Sequence, residues 1–103
     1  MRSGELAIID FGFPIGSTPA LVRPAVIITA QPTLDEFDRT FHVVPITSTQ
    51  RNWPTDVATS RGLAQCHLVT TVDQVQIVER TSENVGSVVL AQIREIVAIL
   101  IGL

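Results

Sequence analysis

The segment SVVLAQIREIVAILIGL, residues 87–103, decides how the rest of the chain is read. Val89, Ile93, Ile96, Val97 and Leu100 recur at the spacing of one helical face, and Gln92, Arg94 and Glu95 face away from it. Ser87 follows Gly86 and is placed to cap the N-terminus. Upstream of this helix the pattern is that of strands. ELAIIDF (5–11) and AVIIT (25–29) are short and rich in β-branched and apolar residues, and FHVVPIT (41–47) is a third such run. Pro45 marks that run as an edge or a bulge, because proline cannot donate to a ladder. Residues 55–59, 66–72 and 75–78 read as further strands, 32–39 holds one helical turn, and Arg51 to Pro54 is a turn. Strands followed by one terminal helix predict a small, strongly curved sheet or barrel with the helix packed on it.

The helix has more apolar surface than one packing face needs. Val97 to Ile101 is an unbroken apolar stretch, so the last turn has almost no polar side. A helix apolar all round is buried on two sides, and a homodimer supplies the second. A helix end tucked under a loop would also do so.

The 103 residues suit one domain spanning 1–103, long enough to bury a core without cross-links. Cys66 is the only cysteine, which points to a reducing, cytoplasmic setting. A secretory leader is not expected at the N-terminus, and the longest apolar stretch is too short to span a membrane. Net charge is −3, which excludes a binder that holds nucleic acid through a broad basic face. All seven cations are arginine. Genomic base composition accounts for that, and so does a use in bidentate phosphate recognition. Any nucleic-acid contact must therefore be local.

Residues 12–22 form a long loop with two glycines and two prolines, a length that in so small a domain is usually functional. Arg23 closes it, held extended by Pro24. Cys66 and His67 are adjacent and on a strand point to opposite faces, so they cannot share an ion; no metal site and no cofactor are expected. His42 alternates with Val44 and Ile46, whereas Thr47 shares a face with Val43 and Pro45, so His42 and Thr47 do not form one site.

Several segments together resemble the MazF/PemK toxins. They are Arg2-Ser3-Gly4-Glu5-Leu6 with Ile9-Asp10-Phe11, Gly16-Ser17, Arg23-Pro24-Ala25-Val26, Val44-Pro45-Ile46-Thr47-Ser48, Trp53-Pro54 with Val57, Asp73-Gln74-Val75, and Ile99-Leu100-Ile101-Gly102-Leu103. The resemblance implies an SH3-like barrel, a homodimer, a cognate antitoxin, and cleavage of single-stranded RNA to a 2′,3′-cyclic phosphate and a 5′-hydroxyl. It assigns catalysis to Arg23 and Thr47. It places Ser17 in the substrate loop, and Gly16, Thr18 and Ser48 beside these residues are further candidates for substrate contact. Phe13 and Trp53 suit stacking on unpaired bases and equally suit core or turn packing; Gln74 suits contact with a base, orientation of the loop, or a buried structural amide. The family often has an acidic residue and Gln after the loop serine, where this chain has Thr18-Pro19.

The chemistry agrees with that assignment. Attack of a 2′-hydroxyl on phosphorus builds negative charge on the phosphoryl oxygens. A fixed arginine offsets that charge, and a threonine hydroxyl donates to it. Two other readings compete. CcdB-type toxins share the fold but poison DNA gyrase through the end of the helix, without catalysis, and Ile101-Gly102-Leu103 is an ending of comparable kind. A catalytically dead, antitoxin-binding barrel is the third.

Overall fold

A computed structural model describes residues 1–50 and 53–103, so part of the expected 51–54 turn lies outside the described residues. The elements run β1 (Glu5–Asp10), β2 (Val22–Ile27), α1 (Gln31–Glu36), β3 (Thr40–Thr47), β4 (Asp56–Thr59), β5 (Gly62–Gln65), β6 (Thr70–Asp73), β7 (Ile77–Asn84) and α2 (Gly86–Leu100). The seven strands form one sheet in the order β4-β5-β3-β2-β1-β7, with β6 also pairing β3. The chain is thus mainly β with a C-terminal helix, as expected.

The apolar runs of β1, β2 and β3 are continuous because both faces of the sheet are covered. Leu6, Val26, Val44 and Ile46 face α2 and pack with its Ile93 and Val97. Their neighbours Ala7, Ile9, Ala25, Ile27 and Val43 face the other way, into a second core closed by Phe41, Val72 and Leu34 of α1. Full burial of a side chain such as Ile93 or Val26 stabilises the fold by about 1.5–3 kcal/mol.

Pro45 lies in an interior strand, not at an edge. The His42 carbonyl accepts from the Ile28 N–H at 2.9 Å, so even-numbered residues of β3 bond toward β2 and odd-numbered ones bond outward. Pro45 therefore has its missing N–H on the outer side. There the partner changes: β6 pairs as far as Val43, and β5 begins at Ile46. The chain crosses this gap in a 3₁₀ turn, Cys66–Leu68. That turn corrects the expected strand at 66–72, of which only Thr70–Val72 is extended.

Other boundaries differ for local reasons. Val75 belongs to a second 3₁₀ turn, Gln74–Gln76, held by a capping box on Asp73. β7 then runs on to Asn84 through ERTSEN, a polar and largely exposed stretch without the alternation that marks a half-buried strand. β5 is short and begins at a glycine, and sequence reading missed it. Helix α2 begins at Gly86 without a side-chain cap from Ser87; instead Asn84 Oδ1 accepts from the Gly86 N–H at 2.9 Å. Arg94 does not face away. Its guanidinium donates to the carbonyls of Ile28 and Thr29 at 3.0–3.2 Å and ties α2 to the end of β2.

Among the described residues, two ion pairs hold β7. Glu5 is nearly buried and receives the Arg80 guanidinium through both oxygens, at 2.8 and 2.9 Å. This contact holds the Glu5 carboxyl below the usual carboxylate range, against the opposing effect of burial. The β1–β7 register shifts between Glu5 and Ala7, where Ser82 takes φ 67°. Just beyond this bulge Glu83 meets Arg61 at 2.7 Å, which joins the last strand to the β4–β5 hairpin at the other end of the sheet order.

Because the Glu5 pKa is depressed on folding, its contribution is present above the ordinary glutamate range and is lost as pH falls through the folded value. Glu5→Gln should lower stability at pH 7 by about 2 kcal/mol. Urea melts across pH should show the gap between the two proteins shrinking through the acidic range; a gap independent of pH would contradict the assignment. Gly62 is a second sensitive point. It has φ 130°, and a Cβ there would sit 2.4 Å from the Thr47 carbonyl oxygen. Gly62→Ala should cost about 1–3 kcal/mol, since backbone must move, and a melting temperature equal to wild type would show that the approach is looser than this.

Candidate active site

Arg23 is the second residue of β2, at the mouth of the long loop. On one side it pairs with Ile9 of β1. On the other, the pairing of β2 with β3 ends at Ala25 and Pro45, and Arg23 and Thr47 each lie two residues beyond that last pair. Thr47 in turn faces Leu63 of β5. Each is thus held by a neighbouring strand on its far side, Arg23 by β1 and Thr47 by β5. The adjacent row inward, Ala7, Ala25, Pro45, is apolar and fully buried. The polar pair stands where the second core gives way to solvent.

Arg23 and Thr47 line one groove of ≈ 360 Å³, together with Leu21, Ser48 and Arg61. Thr47 Oγ1 accepts from the Thr49 N–H at 3.2 Å, which fixes the oxygen and leaves its proton free to donate outward. Arg23 has no carboxylate partner among the described residues, so its fork is open to an anion. Three other arginines are engaged: Arg80 with Glu5, Arg61 with Glu83, and Arg94 with backbone carbonyls.

The loop beside the groove is pinned at its neck. The Phe11 N–H donates to the Leu21 carbonyl at 2.8 Å, and the Leu21 N–H donates to the Gly12 carbonyl at 2.7 Å. Leu21 takes φ 62°, which is strained for a leucine, and this hands the chain into β2. At the tip, Gly16 and Ser17 are the exposed centre of a turn from Ile15 to Thr18. The Thr18 hydroxyl donates to the Ile15 carbonyl at 2.7 Å, so it shapes the turn. Phe13 is 91% exposed and lines a neighbouring depression that shares Leu21 and Val22 with the Arg23 groove.

The remaining sequence candidates lie apart from the groove. Trp53 packs against His67, ring centroids 5.0 Å apart. Gln74 sits in its 3₁₀ turn near Phe41 and Arg80, its N–H donating to the Arg39 carbonyl at 2.7 Å. His42 lies on the opposite face of β3 from Thr47, beside Ile28 and Val97. Burial pushes the Cys66 thiol up to about 11, which keeps it inert. Among the described residues no group of three or more His, Cys, Asp or Glu is arranged to hold a metal ion. Sequence reading missed Arg61. Its place became visible only with β5, whose first residue backs onto Thr47.

Comparison with known proteins gives the same frame. The family model of PemK-like, MazF-like toxins of type II toxin–antitoxin systems matches residues 2–101. No curated protein sequence matches the chain. Among solved structures, MazF from Deinococcus radiodurans superposes with a TM-score of 0.87 at 18% identity, covering 100% of this chain and 97% of that one. An endoribonuclease in complex with its cognate antitoxin from a mycobacterial species gives 0.78 at 19% identity, covering 97% and 93%. The Mycobacterium tuberculosis toxin MazF-mt6 gives 0.71 at 16%, covering 96% and 97%. At such identities these likenesses establish the barrel-like fold. With the match over residues 2–101, the chain belongs to the PemK-like, MazF-like family of type II toxins.

Proposed function

We propose that this toxin is a sequence-specific, metal-independent endoribonuclease that cuts single-stranded RNA and so inhibits translation and growth. The observation that carries the proposal is that Arg23 and Thr47, from the ends of β2 and β3, line one groove. The substrate's own 2′-hydroxyl attacks the adjacent phosphorus. A 2′-oxygen–phosphorus bond forms as the bond to the 5′-oxygen breaks, leaving a 2′,3′-cyclic phosphate and a 5′-hydroxyl. Arg23 offsets the charge that develops on the phosphoryl oxygens, and the Thr47 hydroxyl donates to one of them. Arginine stays protonated, so Arg23 is not the base. Holding the hydroxyl in line with the leaving oxygen supplies much of the rate.

Ser48 lies in the same groove and contacts substrate there. Ser17 and Phe13, on the adjoining loop, meet flanking nucleotides, and Gly16 and Thr18 shape that loop. Trp53 and Gln74 lie outside this groove on their own chain, which weakens their assignment to the same bound nucleotide. The toxin acts in the cytoplasm as a homodimer, with the exposed apolar ending at Ile99, Ile101 and Leu103 covered by the second copy. A cognate antitoxin competes for the groove by offering carboxylates where RNA offers phosphates.

Arg23→Ala should reduce cleavage of single-stranded RNA by about 10²–10³-fold and Thr47→Ala by less, in both cases with unchanged circular dichroism. Wild-type cleavage should persist in excess chelator. An Arg23→Ala protein cutting at the wild-type rate would place the chemistry elsewhere. The nucleophile can be tested separately. RNA carrying one deoxynucleotide just 5′ of the scissile phosphate should bind yet resist cleavage, while the intact strand yields the cyclic phosphate first. An undiminished rate on the deoxy-substituted strand would falsify the mechanism and point to an activated water.

A further inference from the structure

The groove holds a second arginine that the chemistry above does not use. Arg61 stands in the tight turn between β4 and β5, where the Thr59 hydroxyl oxygen accepts the Arg61 N–H at 3.1 Å and the same hydroxyl donates to the Gly62 carbonyl at 2.8 Å. Gly62, the next residue, lies so close to the Thr47 carbonyl that only a glycine fits. The base of Arg61 is therefore fixed relative to Thr47. Its side chain lines the same groove as Arg23, Thr47 and Ser48.

The guanidinium is held by one edge only. Its Nε donates to Glu83 Oε2 at 2.7 Å. Among the described residues its two terminal nitrogens meet no acceptor, and they form a planar fork, the shape that takes two oxygens of one phosphate. The pair is exposed, 42% for Arg61 and 47% for Glu83, so it adds little to stability and acts on orientation. The bulge at Ser82 aims Glu83 at Arg61 from the far side of the sheet order.

We propose that Arg61 is a second phosphate-binding residue, which takes a phosphodiester flanking the one at Arg23 and Thr47, and that Glu83 is the positioning residue that turns its free fork into the groove. The proposal rests on the endoribonuclease reading. It adds a subsite that fixes the register of the strand, because two phosphates held at a set separation leave one phosphodiester at Thr47. The net charge of −3 makes such a local contact necessary, since no general basic field draws RNA to the protein.

The test uses an RNA of a sequence that the wild-type protein cuts, made resistant by a 2′-deoxy substitution at the cleavage position. Binding is measured from 50 to 300 mM salt. Arg61→Gln should weaken binding about tenfold at the lowest salt and flatten the log–log salt slope by about 0.7, the value for one phosphate on a single strand. Arg61→Lys, which keeps the charge but not the fork, should fall between. An uncharged methylphosphonate at one flanking position should weaken wild-type binding to the same degree and leave Arg61→Gln unaffected. Glu83→Ala separates orientation from bulk charge: it removes a negative group near the RNA, yet it should weaken binding several-fold. Tighter binding by that variant would overturn the positioning role. Wild-type affinity and slope in Arg61→Gln would overturn the subsite, as would a loss seen only toward an acidic antitoxin peptide. A wild-type protein that cuts no RNA would overturn the underlying endoribonuclease reading instead.

Discussion

The antiparallel pairing of β2 with β3, registered so that Ala25 faces Pro45, is the constraint from which the rest of the molecule follows. It sends Val26 and Val44 to one core and Ala25 and Val43 to the other. Slipping one strand by a residue would exchange its two sets of side chains between the cores and mispack both. Just past the last pair of that register, Arg23 and Thr47 enter one groove. On the outer side of β3, Pro45 leaves the ladder one donor short, and β5 and β6 divide that edge between them. The hairpin that carries Arg61 exists because β5 occupies the portion beyond Pro45.

What could be read from the sequence was whatever depends on local pattern. The period of α2, the apolar runs of β1 to β3 and the parity that separates His42 from Thr47 all follow from side-chain alternation over a few residues. What could not be read depends on partners far along the chain. The polar run 79–84 is a strand because β1 offers it an edge, and the buried Cys66 turns through a 3₁₀ segment because Pro45 interrupts the ladder opposite. Arg94 looked like solvent-facing helix surface and is instead bonded to carbonyls that β2 leaves at its end. For the site, Arg23, Thr47 and Ser48 share a groove, whereas Trp53, already packed on His67, and Gln74 do not line it.

The arginines show how an acidic chain concentrates its anion binding in one groove. Arg80 is neutralised by a nearly buried glutamate, and Arg94 is engaged by backbone oxygens. Neither is available to a phosphate. Arg23 is different in that the described residues bring no carboxylate to it, and the Thr47 hydroxyl beside it is already oriented by the Thr49 amide. The balance of total charge is therefore a poor guide to local field here. A cation left open on a rigid strand matters more than the sum over the surface.

The neck of the long loop has a consequence for how such a protein diversifies. Two peptide hydrogen bonds and a left-handed Leu21 close the loop before β2 begins, so the strand register behind it does not depend on what the loop contains. Doubling the length of a flexible loop raises its closure cost by only about 0.6 kcal/mol. Insertions, deletions and substitutions in the exposed stretch from Phe13 to Thr18 can accumulate at small thermodynamic cost while Arg23 and Thr47 stay in place. A lineage built on this scaffold can thus wander in what it recognises without passing through ancestors that have lost their chemistry.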